Sequence, residues 1–246
     1  MSSAPNYQFV IADSLKFLKK FDDHSLPVVV TGLHDIEELG LKDIEEYLDW
    51  FGRAAYLIFR KTRKDGYIIF IQTDRKIGGQ WIDKSYHLTD CAIHCNWHLM
   101  WHKICLNRPV GSANLHRPTY SHILCYSAEG RPGNGLPDVV EAKSVDRLYD
   151  NATPMVALEL VMEFLRRAKL PRPVALRYSS NSGRGGDSGI TNKGFGSEKI
   201  GYQIIDPFVG QGSVVYSAVI NGFSALGIDI DEDQILKADD LMSSLG

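Results

Sequence analysis

The sequence predicts an α/β domain with a mostly parallel sheet and helices on both faces, and three observations predict it. Residues 26–31 and 67–72 are short apolar runs, β-branched and without alternation, which is how strands buried on both faces read. Segments with apolar residues at helical spacing lie between such runs. Residues 202–241 then read as strand, glycine-containing turn, helix, strand and helix, a βαβ unit.

Taken in order, residues 7–12 suit a short strand, and residues 14–21 a helix turned inward by Leu15, Phe17, Leu18 and Phe21. Residues 26–31 are the first buried strand. Residues 41–64 place Ile44, Leu48, Phe51, Ala55 and Ile58 on one face, with an acidic opening and a basic close that complement a helix dipole. Asp65 and Gly66 end that helix, residues 67–72 form the next strand, and residues 81–94 another helix. Residues 99–106 and 121–126 read as two strands joined by a long loop, which predicts an antiparallel hairpin at the sheet's edge. Residues 130–150 are polar and turn-rich. Residues 154–169 form an amphipathic helix with Thr153 as N-cap and Pro154 in the first turn. Residues 179–201, rich in Gly, Ser and Asn, read as a flexible loop.

A chain of 246 residues, 44% hydrophobic, can bury one substantial core, so residues 1–246 are expected to form a single domain. No run approaches the roughly 18 apolar residues of a membrane span, and residues 1–8 lack the basic and apolar regions of a signal peptide, so a soluble intracellular protein is expected. Four cysteines in this length do not make a disulfide scaffold. Cys91, His94, Cys95, His98 and His102 do not follow a zinc spacing, and no metal is expected. A net charge of −3 argues against gripping nucleic acid by bulk electrostatics. Residues 166–199 nevertheless hold eight Lys or Arg against two acids, which makes that stretch either a polyanion dock or a solvated surface.

The chemistry concentrates near the C-terminus, in Asp206-Pro207-Phe208-Val209-Gly210-Gln211-Gly212-Ser213 between a strand and a helix. Glycines there admit a ligand close to the backbone, and the free N–H groups of the helix start favour its electronegative end. One strand later, Asp229 stands where a carboxylate commonly holds ribose hydroxyls. The reading is a nucleoside-cofactor site.

Asp-Pro-Phe-x-Gly-x-Gly-Ser followed by Gly227-Ile-Asp229-Ile-Asp resembles the S-adenosylmethionine motif of the amino-group DNA methyltransferases, which modify adenine N6 or cytosine N4. The order of segments resembles the β arrangement of that family, with a catalytic-type half first (1–128) and a cofactor-binding half last (151–246). The resemblance implies a Rossmann-like S-adenosylmethionine-dependent methyltransferase fold of seven strands in permuted motif order. It implies S-adenosyl-L-methionine as cofactor, held by residues 206–213 and Asp229, with Asp13, Thr31 and Thr153 as further contacts. It also implies a nucleic-acid substrate, DNA or RNA. Arg108, His116 and Arg117 lie on the loop between the two hairpin strands, where they suit a phosphate-facing element. No separate target-recognition segment is evident, so specificity would come from a homodimer or a partner subunit.

The resemblance breaks at one place. Where the family has an Asp-Pro-Pro-Tyr-type motif, whose polar residue and carbonyl hold the target amine while the ring stacks on the flipped base, this chain has Gly32-Leu33-His34-Asp35. Amine methylation depends on alignment more than on proton transfer, so losing acceptor and ring weakens positioning. Three readings follow. The chain methylates an exocyclic base amine using Gly32, Leu33, His34 and Asp35; or it is a degenerate homologue acting as a non-catalytic subunit or nucleic-acid-binding module; or it methylates another acceptor.

Overall fold

The apolar runs become strands because their β-branched residues pack on both sides. In the computed structural model, which describes residues 6–130, 135–143, 146–150, 152–175 and 201–245, every residue of β2 (Leu26–Thr31) is buried. The other strands of the main sheet are β1 (Tyr7–Ile11), β3 (Thr62–Gln72), β6 (His98–Leu106), β7 (Tyr120–Ser127), β8 (Val139–Glu141), β11 (Ile204–Asp206) and β12 (Ala225–Asp229). Two small ladders complete the set, β4 (Arg75–Ile77) with β5 (Gln80–Ile82) and β9 (Val174–Ala175) with β10 (Gly201–Tyr202). The helices are α1 (Ser14–Leu18), α2 (Ile44–Lys61), α3 (Lys84–His94), α4 (Met155–Arg167), α5 (Ser213–Ile220) and α6 (Glu232–Ser243).

The sheet runs β1-β12-β11-β2-β3-β7-β6-β8. Its first five strands are parallel, and β7 is antiparallel to both neighbours. One face is covered by α1, α2 and α3 through Phe17, Leu18, Phe51, Ile58, Leu88 and Ala92. The other is covered by α4, α5 and α6 through Leu158, Val161, Val215, Ile235 and Ala238. Burying each of the larger of these side chains contributes about 1.5–3 kcal/mol, so the two cores carry the fold.

This topology positions the site. After β11 the chain turns through α5 on one face toward β12; after β2 it turns through α2 on the opposite face toward β3. The order of strands therefore reverses between β11 and β2. In an open parallel sheet the loops diverge at such a point and leave a crevice outside the carboxyl ends of the strands.

The expected fold class stands, with local differences. The sheet has eight strands rather than seven, because residues 139–141 add to β6 in parallel, clamped by Ile104 N–H to the Asp138 carbonyl and Ala142 N–H to the Leu106 carbonyl, both 2.8 Å. Three residues among polar neighbours carry no periodic signal. The β6–β7 hairpin consequently lies one strand inside the edge. Residues 81 and 82 of the expected helix belong instead to the β4–β5 hairpin, since Gly78 and Gly79 adopt φ of 56° and 80° and close a turn back onto β4. Thr153 does not cap α4. Pro154 occupies that position without a side-chain bond, and the Met155 N–H instead donates to the Asp146 carbonyl at 2.7 Å. The flexible loop expected at residues 179–201 lies outside the described residues except for Gly201, as do Arg177, Arg184, Lys193 and Lys199 of the basic stretch. Among the described residues no helix is long and apolar enough to cross a membrane.

Candidate cofactor and substrate site

Asp206, Thr31, Asp229 and Gln72 end β11, β2, β12 and β3, so parallel pairing brings all four to one edge of the sheet. Asp206 is buried at the reversal point. Its Oδ1 accepts from the Thr31 hydroxyl at 2.7 Å and from the Phe208 N–H at 3.1 Å. Burial pushes its pKa up to about 7, against the opposing pull of those two bonds. Thr31 is fully buried, so it ties β2 to β11 and reaches the crevice only through Asp206.

The glycine loop follows Asp206. Gly210 has φ 51°, and a Cβ there would find nothing nearer than Gln234 Oε1 at 4.0 Å, so the space above it is open. Gly212, at φ 88°, serves packing instead: a Cβ would lie 2.9 Å from Ala238 Cβ. Gly210 N–H donates to Asp229 Oδ2 at 2.9 Å, and Asp231 N–H to Asp229 Oδ1 at 3.0 Å. The Asp229 carboxylate thus anchors the loop with one lone pair on each oxygen and leaves further acceptor capacity. The Pro207 carbonyl accepts from the Ser14 hydroxyl, which fastens the loop to α1. Asp13 lies at the adjacent end of β1, where it caps α1 through Lys16 N–H at 3.1 Å. Ser213 is the buried first residue of α5.

Sequence reasoning missed Tyr149. Burial raises its pKa, while hydrogen bonds with the Ser213 side chain and the backbone of Ser213 and Gln211 pull the other way. Its hydroxyl therefore covers the start of α5 and leaves the Gly210 side of the loop as the open part. Thr153 does not join the loop directly; it lines a polar cavity beside it. The Gly210 side, where backbone approach is free and a carboxylate stands next to it, is the part of the loop that could hold a nucleoside-bearing cofactor.

Across the crevice lie residues 32–35. Gly32 is required by close approach, since a Cβ would meet the Ile71 carbonyl at 2.9 Å; the polar residue of the family motif has no room without a backbone shift. Leu33 is clamped by the buried Gln72 amide, which accepts from Leu33 N–H at 2.7 Å and donates to its carbonyl at 2.8 Å. His34 packs edge-on to Phe208 at 5.2 Å between ring centroids and lies 6.0 Å from Trp50, forming an aromatic wall that spans both sides of the crevice. Burial works against its charge, but Glu38, 3.4 Å from Nδ1, and the more distant Asp229 and Asp206 outweigh it and raise the His34 pKa. Asp35 turns away into an ion cluster, paired with Lys84 and lying 3.6 Å from Arg75 and 3.7 Å from Arg117. Of the four residues proposed for substrate, His34 meets the loop through Phe208, Gly32 packs against the end of β3, and Leu33 and Asp35 are engaged in holding the segment.

No family model matches the sequence, and no curated protein is significantly similar to it. Solved structures do match over nearly the whole chain. The PvuII DNA methyltransferase, specific for cytosine N4, is 14% identical with a TM-score of 0.66, covering 97% of this chain and 87% of that one. TTHA0409 of Thermus thermophilus, named as a DNA modification methylase and solved in complex with S-adenosyl-L-methionine, is 16% identical with a TM-score of 0.61, over 98% and 94%. The M1.HpyAVI–SAM complex is 11% identical with a TM-score of 0.55, over 96% and 99%. The chain has the fold of these S-adenosylmethionine-dependent methyltransferases.

Proposed function

Starting from that fold, we propose that the chain binds S-adenosyl-L-methionine in the crevice between β11 and β2 and methylates an exocyclic amine of a nucleic-acid base. One observation carries the reading: the open, side-chain-free backbone at Gly210 lies beside Asp229 and across a strand reversal from Gly32 and His34. Asp229 would hold the ribose, the Gly210 loop the body of the cofactor, and Asp13 the adenine side at the next strand end. The cofactor supplies an electrophilic methyl on sulfur. The protein's own task is to hold the amine nitrogen in line with it. Among the described residues the Gly32 carbonyl meets a single 3.3 Å contact, from Thr31, and is the available acceptor for an amine proton. The His34–Trp50–Phe208 wall supplies a surface on which a base extruded from its strand can stack.

A specific observation favours a second reading. Asp35 stands where the family has its stacking ring, and it is occupied by ion pairs. A chain that binds cofactor but performs no transfer, as a partner subunit or nucleic-acid-binding module, accounts for that. Titration calorimetry with S-adenosylmethionine and then sinefungin, followed by tritiated methyl transfer to total DNA and total RNA, separates the two. Transfer supports the enzyme. Tight cofactor binding with no transfer to either supports the module, and no binding of either ligand contradicts both.

A further inference from the structure

Beside the crevice, at the same sheet edge, is a cavity of about 350 Å³, walled by the end of β3, the β6–β7 loop and the segment before α4. That volume sits at the small end of the ~300–1,000 Å³ typical of ligand sites. Its charge is one-sided. Arg108 and Arg117 enter from the loop and Arg147 from the opposite wall, and among the described residues no carboxylate lines it.

Arg147 shows what such a cavity lacks. It is half-buried, its guanidinium donates to the Ala152 carbonyl and, at 3.0 Å, to Asn107 Oδ1, and none of these partners is charged. Burial accordingly lowers its pKa. Asn107 in turn donates to Ser121 Oγ at 2.7 Å, and Ser121 shares a 2.7 Å bond with Thr73. This chain of neutral bonds orients the guanidinium without neutralising it, and a partly desolvated cation without an anion is costly. Arg117 is exposed, with a loose 3.7 Å contact to Asp35 and the Glu37 carboxylate in its field, and Arg108 is exposed. Guanidinium groups converging from two walls suit a tetrahedral oxyanion that accepts two-pronged hydrogen bonds.

The loop says which oxyanion. Its residues Val110 and Leu115 are 88% and 85% exposed, the most exposed large apolar side chains among the described residues. An apolar tip flanked by arginines has no use for a free ion, but it matches proteins that press apolar wedges between bases while holding the backbone. We propose that this cavity holds a phosphodiester of the nucleic-acid strand whose base enters the neighbouring crevice. The proposal rests on the nucleic-acid reading above and adds where the strand is gripped.

Anisotropy of labelled single-stranded and duplex oligonucleotides, measured over a series of KCl concentrations, tests it in wild-type protein, Arg147→Gln and Arg108→Gln. S-adenosylmethionine affinity and thermal unfolding are followed in parallel. Arg108 makes no hydrogen bond or ion pair among the described residues, so its variant keeps the test open should Arg147→Gln be unstable. Loss of one phosphate contact should weaken oligonucleotide binding about tenfold near 0.1 M salt and reduce the slope of log K against log salt by about one, with cofactor affinity unchanged. Wild-type affinity and slope in folded variants would overturn the proposal while leaving the nucleic-acid reading intact. Loss of cofactor affinity instead would assign the cavity to the cofactor's carboxylate and overturn it as well. Failure of the wild-type protein to bind any oligonucleotide would remove both readings.

Discussion

Asp35→Asn separates a structural role from a substrate contact in the segment proposed to meet substrate. The Lys84 side chain is 1% exposed and Arg75 8%, and both meet at Asp35, itself 18% exposed. Arg75 has a second partner in Glu37, but Lys84 has no other ion pair among the described residues. Neutralising Asp35 therefore removes the paired carboxylate of a buried ammonium and leaves it only the more distant Glu38, which costs about 3–5 kcal/mol. For a chain of this length that corresponds to a fall in Tm of roughly 6–20 °C. The sign with pH also follows. Burial holds the Lys84 pKa below its unfolded value even with Asp35 opposing. The unfolded chain then binds the extra proton between the two values, and stability rises with pH across that window. Losing Asp35 widens the window, so the deficit should shrink as pH approaches the ordinary lysine value of about 10.4. Urea unfolding followed by circular dichroism at pH 7 and pH 9.5 measures both effects, and Asp35→Asn/Lys84→Met should recover most of the loss. A stability change under about 0.5 kcal/mol in Asp35→Asn, with no pH dependence, would refute the ion-pair account.

The Asp206 pKa of about 7 exceeds its unfolded value, so the folded state holds the extra proton and that contribution is lost as pH rises from about 4 through 7. Asp206→Asn should accordingly gain stability relative to wild type across that interval, as read by urea midpoints at pH 5 and 8; a constant difference would contradict the shift. Gly212→Ala should lower stability because its Cβ lands 2.9 Å from Ala238 at a left-handed φ, costing at least about 1 kcal/mol, whereas Gly210→Ala, with open space, should show only the backbone term. Equal thermal shifts in the two variants would argue against the different roles. Asp229→Ala should weaken S-adenosylmethionine binding by on the order of 1–3 kcal/mol, measured by calorimetry, and unchanged affinity would remove Asp229 from the ribose role.

Much of the framework is legible in the sequence because it rests on local patterns. Residues 26–31 and 67–72 read as buried strands from their unbroken apolar character, and the strand–glycine–helix order around Gly210 placed the loop correctly at a sheet edge. β8 was not legible, since three residues held by flanking backbone bonds leave no periodicity. Nor was the role of Asp35. Its partners come from β4, from the first turn of α3 and from the β6–β7 loop, the nearest of them 40 residues further on, and tertiary folding alone brings them together beneath the β2 loop. Tyr149 stood in a polar stretch with no motif, yet tertiary folding lays its hydroxyl across the start of α5. Thr153 was misread as a cap because Thr-Pro fits a helix start equally well with the proline in the capping place.

The account stands or falls on the backbone at Gly210. Calorimetric titration of S-adenosylmethionine into wild-type protein and Gly210→Val, with circular dichroism and Tm recorded on both, tests it most directly. A branched side chain at φ 51° adds local strain and fills the open niche, so binding should be lost while the helical and sheet signal persists. Wild-type affinity in a folded Gly210→Val variant would contradict the account.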